Sequence, residues 1–171
     1  MKVLITGAGG QLGHELKRST PENASLIETD SETLDITDSA AITSSLDEHR
    51  PDWLINCAAY TAVDKAETDR DAATAINATA VGALASACAV NGVKMAQIST
   101  DFVFDGLQSI PYAPEDRPRP LSVYGATKLA GEQVVSETLT DALIIRTSWL
   151  YSAYGSNFVK SMLNLMQSRD E

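Results

Sequence analysis

The sequence predicts an α/β fold built on a doubly wound parallel sheet, and three observations carry that expectation. Short apolar runs alternate with longer segments whose apolar residues recur at helical spacing. The connections are short, so successive strands are joined by crossover helices and lie parallel, with helices on both faces. The first apolar run passes straight into a glycine turn and a helix. The simplest arrangement of such a sheet has the order 3-2-1-4-5.

At 171 residues the chain is expected to be a single domain with a full hydrophobic core. Its 44% hydrophobic and 21% charged residues are the balance of a globular protein rather than a disordered one. A net charge of -10, with 13 Lys and Arg that form no visible patch, argues against nucleic acid and against an anionic membrane as partners. Cys57 and Cys88 stand in apolar surroundings without metal-ligand or CxxC spacing, and both are expected reduced and buried. No His/Cys/Asp/Glu cluster suggests a metal. The first strand starts at Val3, leaving no room for a leader, and no apolar run approaches the length of a membrane span, so a cytoplasmic location is expected. A homodimer is compatible with the sequence.

Taken in order, Val3-Leu4-Ile5 is the first strand, and Thr6 to Gly13 is a turn with glycines at 7, 10 and 13. This is a GxxGxxG variant of the dinucleotide fingerprint, in which glycines make the turn tight and bring backbone to a pyrophosphate at the helix N-terminus. The sheet is therefore expected to be Rossmann-like. Glu15 to Arg18 continue the helix. Leu26 to Asp30 form the second strand, ending in an acid placed to accept hydrogen bonds from ribose hydroxyls. Asp30 slightly favours NADH over NADPH, although Lys17 or Arg18 could compensate a 2'-phosphate. Ser39 to His49 read as a helix with Ala41, Ile42 and Leu46 inward, Thr37 or Asp38 as its cap and Arg50-Pro51 as its end. Asp52 to Ala59 are a third, buried strand whose terminal alanines would let a ligand approach.

Asp69 to Asn91 form an alanine-rich helix stopped at Gly92, with Asn77 inside it. Val93 to Ser99 are the fourth strand, and Thr100 to Gly106 lie at its carboxyl end, where parallel sheets bind ligands. Four prolines between Gln108 and Leu121 mark an irregular loop. Leu121 to Glu137 form the next helix, Ala142 to Ile145 the fifth strand, and Asn157 to Gln167 a last helix with Phe158, Met162 and Leu165 inward.

The helix after the proline loop opens with Tyr124-Gly125-Ala126-Thr127-Lys128. Tyrosine and lysine four residues apart share one helical face. A nearby ammonium favours the phenolate, which brings a phenol toward useful acidity.

Five ordered motifs, GAGGQLG from Gly7, NCAAYTAVDKAE from Asn56, STDFVFDG from Ser99, YGATKLAGE from Tyr124 and RTSWLY from Arg146, together resemble the dTDP-4-dehydrorhamnose reductases, a family of extended short-chain dehydrogenase/reductases. The resemblance runs over essentially the whole chain. It implies NAD(P)H-dependent reduction of the C4 ketone of a dTDP-sugar, with Thr100, Tyr124 and Lys128 as the catalytic group. Cofactor contacts are implied for Gly7, Gly10, Gln11, Leu12, Asp30, Asp35, Ile36, Ala58, Ala59, Thr61, Tyr124 and Lys128. Thr100 and Trp149 are implied as substrate contacts. Related dehydratases carry Asp-Glu after the threonine, whereas Asp101-Phe102 stand here, which favours simple reduction over dehydration and leaves epimerisation open. An alternative within the same resemblance is a non-catalytic relative, the regulatory beta subunit of methionine adenosyltransferase.

Members of this family continue into a smaller substrate domain. The present sequence ends at Glu171, so residues 1–171 are expected to be the cofactor domain with the start of the substrate region at about 147–171, and most of the sugar pocket is expected to be missing from what reads as a truncated chain.

Overall fold

The computed structural model describes residues 1–168. Five parallel strands form one sheet: β1 (Lys2–Thr6), β2 (Ser25–Glu28), β3 (Trp53–Asn56), β4 (Lys94–Thr100) and β5 (Leu143–Thr147). The helices are α1 (Gln11–Arg18), α2 (Ser39–His49), the short α3 (Val63–Ala66), α4 (Arg70–Thr74), α5 (Ala80–Asn91), α6 (Val123–Thr138) and α7 (Phe158–Ser168). Leu4, Leu54 and Met95, paired in register across the middle of the sheet, are fully buried. Residues covered on both faces by helices give such uninterrupted apolar strands. Ile42 and Leu46 of α2 and Val81, Leu84 and Cys88 of α5 complete the core.

The strand order is 2-1-3-4-5, not the expected 3-2-1-4-5. The cause lies in β3, whose Asn56 side chain accepts from Thr6 Oγ1 of β1 and donates to Gln97 Oε1 of β4, bonds that hold it between those two strands and leave the partly exposed β2 at the edge. The stretch between β2 and α2 consists of side-chain-capped turns: Asp30 Oδ1 accepts from the backbone amides of Glu32 and Thr33, and Asp35 Oδ1 from that of Thr37. Such local bonds compete with a sheet ladder. Asp38 then caps α2 by accepting from the amides of Ala40 and Ala41. After α2 the chain crosses back and its next strand, β3, pairs on the other side of β1. The winding direction therefore reverses between β1 and β3, which opens a crevice at their carboxyl ends.

Three further expectations are corrected. Arg70–Asn91 is interrupted by a π-helical turn at Ala75–Thr79, and over its 22 residues it is long and apolar enough to cross a bilayer. Its face bearing Ala80, Val81, Leu84, Ala85 and Cys88 is buried in the core, which accounts for the apolar composition. The last helix, α7, buries none of its residues: Phe158 and Leu165 are exposed and Met162 is half-buried, because no described element packs over its apolar stripe. Cys57 is only half-buried, since β3 ends before it and the residue faces the crevice; Cys88 is buried, and both are free thiols.

Candidate active site

The glycine turn after β1 places Gly7 at φ 66°, and a side chain there would meet the backbone of Ala58 at 2.7 Å. Glycine is thus required both for the left-handed conformation and for the approach of two strand ends. Beyond it, Gly9 faces open space, and α1 begins at Gly10 with no side chain capping its amides and no acid in its first turn. Uncapped amides at a helix start form an anion site. A cleft of about 910 Å³ runs from this turn across the sheet ends to α6. A dinucleotide fits these features: free amides for the pyrophosphate, an open glycine surface beside them, and Asp30 on the rim.

Every residue implied for catalysis, cofactor or substrate lines this one cleft, from Gly7, Gly10, Gln11 and Leu12 through Asp30, Asp35, Ile36, Ala58, Ala59 and Thr61 to Thr100, Tyr124, Lys128 and Trp149. Asp30 is less free than expected. One of its oxygens is held by Glu32 and Thr33, bonds that keep its carboxyl below the usual carboxylate range. Lys17 is paired with Glu28 at 2.9 Å, and Arg18 with Glu15 at 3.2 Å. Trp149 is 73% exposed, packs edge-on against Phe158 and sits at φ 53°, a left-handed conformation that bulky residues rarely adopt.

The start of α6 fixes Tyr124. Ser122 Oγ caps it by accepting from the Gly125 amide, and Glu67 Oε1 accepts from the Val123 amide at 2.8 Å. The tyrosine ring lies edge-on to Phe102, which follows Thr100 on a short 3-10 turn. Burial pushes the phenol above its ordinary range, the Thr100 hydroxyl beside it pulls it back, and the Asp101 carboxylate pushes it up. The expected acidifying effect of Lys128 is not among these influences. The lysine is 4% exposed and its Nζ donates to the carbonyl of Ile98 on β4 at 2.7 Å, so one of its three N–H donors is engaged by backbone. Burial pushes its ammonium down to about 8, against the attraction of Glu132.

Two residues without an assigned role stand behind this group. Asn77, in the π turn, accepts from the Tyr60 amide at 2.9 Å and donates to the Tyr60 carbonyl and to Thr127 Oγ1, tying the loop after β3 to α6 between Tyr124 and Lys128. An asparagine inside an alanine-rich helix was its signal, because a buried amide needs partners. Glu132 is buried beside Lys128, and its spacing from that lysine on one helix was legible. Among the described residues no group of three or more His, Cys, Asp and Glu is arranged to hold a metal.

A parallel α/β sheet with its glycine turn, helix N-terminus and a Tyr/Lys/Thr group meeting at a switch-point crevice defines a nucleotide-binding domain of the doubly wound class. The chain belongs to the family described as RmlD substrate binding domain, which it matches over residues 1–171. It is 43% identical over 171 residues to a dTDP-4-dehydrorhamnose reductase of Sinorhizobium fredii, covering 100% of this chain and 58% of that protein. The crystal structure of a dTDP-4-dehydrorhamnose reductase from Clostridium acetobutylicum superposes with a TM-score of 0.95 at 47% identity, over 99% of this chain and 61% of that one. The enzyme of the same name from Bacillus anthracis, solved in complex with NADP, gives 0.95 at 45% identity, over 98% and 60%. The chain thus spans about three fifths of the length of these relatives.

Proposed function

We propose that this chain is the cofactor-binding part, residues 1–171 with the substrate region beginning at about 147, of an NAD(P)H-dependent reductase. Its reaction is reduction of the C4 ketone of dTDP-4-dehydro-L-rhamnose to dTDP-L-rhamnose. The observation that carries the reading is that Thr100, Tyr124 and Lys128 line the same cleft as the glycine turn, so a proton donor faces the place where a dinucleotide fits. The dinucleotide, when bound, supplies the hydride that goes to the ketone carbon. Tyr124 supplies the proton that goes to the ketone oxygen, and Thr100 orients that oxygen by hydrogen bonding. Lys128 holds the nicotinamide ribose. Trp149 forms an aromatic wall for the sugar. Phe102, in place of a second carboxylate after Thr100, supports reduction over dehydration.

Both nicotinamide cofactors remain within this proposal. The Bacillus anthracis relative carries NADP, while the position of Asp30 favours NADH. Titration of the chain with NADH and NADPH tests the cofactor part, and a keto-sugar assay of a full-length version, which supplies the substrate domain, tests the chemistry. Both Tyr124→Phe and the parent chain should bind dinucleotide, and the variant's reduction rate should fall by 10²-fold or more, roughly the contribution of a general acid. Reduction at the parent rate by the phenylalanine variant would remove Tyr124 from the chemistry.

A further inference from the structure

The carboxylate of Glu132 has no part in the chemistry above, yet it is 4% exposed and bonded from two strands at once. Glu132 sits on α6 one helical turn after Lys128, on the same face. Arg146 of β5 grips it in a fork, Nε to Oε1 at 3.0 Å and Nη2 to Oε2 at 2.6 Å. Ser99 of β4 donates its hydroxyl to Oε1. Ser99 and Arg146 are register partners in the sheet, and each immediately precedes a threonine of the cleft wall, Thr100 and Thr147. Arg146 also donates to the carbonyl of Pro114 at 3.0 Å, which fastens the proline loop to the same carboxylate.

We infer that Glu132 is a positioning residue that acts through its neighbours: it keeps the Lys128 ammonium charged in its buried place and holds the Thr100 end of β4 against α6. A lysine removed from water tends to lose its proton unless an anion stands by. The groups that face Lys128 are few. Cys57, from the end of β3, has its thiol pushed up to about 12 by burial and is uncharged where the lysine titrates. Tyr124, on the same helix, is raised from an already high value and is likewise uncharged there. Asp101 acts on the phenol rather than on the ammonium, and β4 offers the lysine only the neutral carbonyl of Ile98. Arg146 grips the same carboxylate, so the lysine shares the charge of Glu132 with the guanidinium. Glu132 therefore supplies the charge that lets Lys128 stay protonated at neutral pH.

The consequence for cofactor binding rests on the function proposed above; the geometry does not. Glu132→Gln keeps the shape and the acceptor for Ser99 but removes the charge. Two measurements read the outcome: the titration midpoint of Lys128 by NMR in the cofactor-free chain, and the affinity for NADH and NADPH across pH 6–10. The lysine midpoint should fall by about one unit or more, the usual effect of losing a nearby opposite charge. The alkaline loss of dinucleotide affinity should move down by the same amount. Glu132→Gln/Arg146→Gln, which leaves no unpaired guanidinium, should recover thermal stability while the lysine midpoint stays low. A midpoint unchanged in both variants overturns the inference and leaves Glu132 a packing residue. A lowered midpoint in a chain that binds neither dinucleotide supports the inference and removes the cofactor reading instead.

Discussion

A lysine that titrates near pH 8 inside a fold opposes folding at neutral pH, because the unfolded chain holds that proton more tightly than the native one. Between about pH 8 and the ordinary lysine value the unfolded state binds more protons, so stability contributed through Lys128 rises with pH across that window and is flat below it. The cost at pH 7 is on the order of 3 kcal/mol, from the shift alone. Lys128→Met should therefore fold at least as stably as the parent at pH 7, even with loss of the lysine's bond to the Ile98 carbonyl, which keeps Gln97 Nε2 as a donor, a loss of about 1–3 kcal/mol at most. The parent should gain on the variant as pH rises from 7.5 to 10. Thermal melts of both at several pH values check this, and parallel curves would show that burial does not depress the lysine. The pairing of Tyr124 with Lys128 was legible because a helix repeats every 3.6 residues. The partners of Glu132 were not, since Ser99 and Arg146 reach it only through the β4–β5 register.

At the scale of elements, α6 is the part that local chemistry specifies best, and its expected bounds differ from the observed Val123–Thr138 by only a residue or two. The sequence shows why the helix starts there; it does not show what the helix leans on. Gly125 lies against the carbonyl oxygen of Phe102, so a methyl group would collide with the turn that follows Thr100. An alanine in an ordinary helix position stabilises by about 1 kcal/mol over glycine. Here the sign should reverse. Gly125→Ala is expected to cost about 1–3 kcal/mol, the range for overpacking a close contact, and to lower reduction further by moving Tyr124 from Thr100. Chemical denaturation measures the first effect and a keto-sugar assay of a full-length version the second; a stabilised, active variant would mean that α6 does not rest on the turn after β4. For α7 the same periodicity misleads, because a stripe of apolar residues states a preference for burial without naming the surface that meets it.

For the molecule as a whole, the strand count and the parallel sheet were legible, and the strand order was not. Order depends on which neighbours β3 takes, a choice that Asn56 makes through its side-chain bonds to Thr6 of β1 and Gln97 of β4. That choice sets the site, because it brings the glycine turn after β1 beside the alanines after β3 and opens the cleft between them. The residues lining the cleft all fall between Gly7 and Ser156, so the described chain holds a dinucleotide cleft with walls of its own. Binding to the native state alone should then stabilise the fold by mass action, by about 2.7 kcal/mol at a hundredfold excess over Kd. For a domain of this size that is a rise in melting temperature of roughly 5–10 °C. NADH and NADPH should each be tested at rising concentration, with the larger shift reporting the preferred cofactor and a dTDP control giving a smaller one. The Gly10→Asp chain, with an acid set at the start of α1 where the pyrophosphate would lie, should lose the shift while melting near the parent temperature without ligand. If neither dinucleotide moves the parent melt at millimolar concentration, the uncapped N-terminus of α1 and the cleft around it serve some other anion.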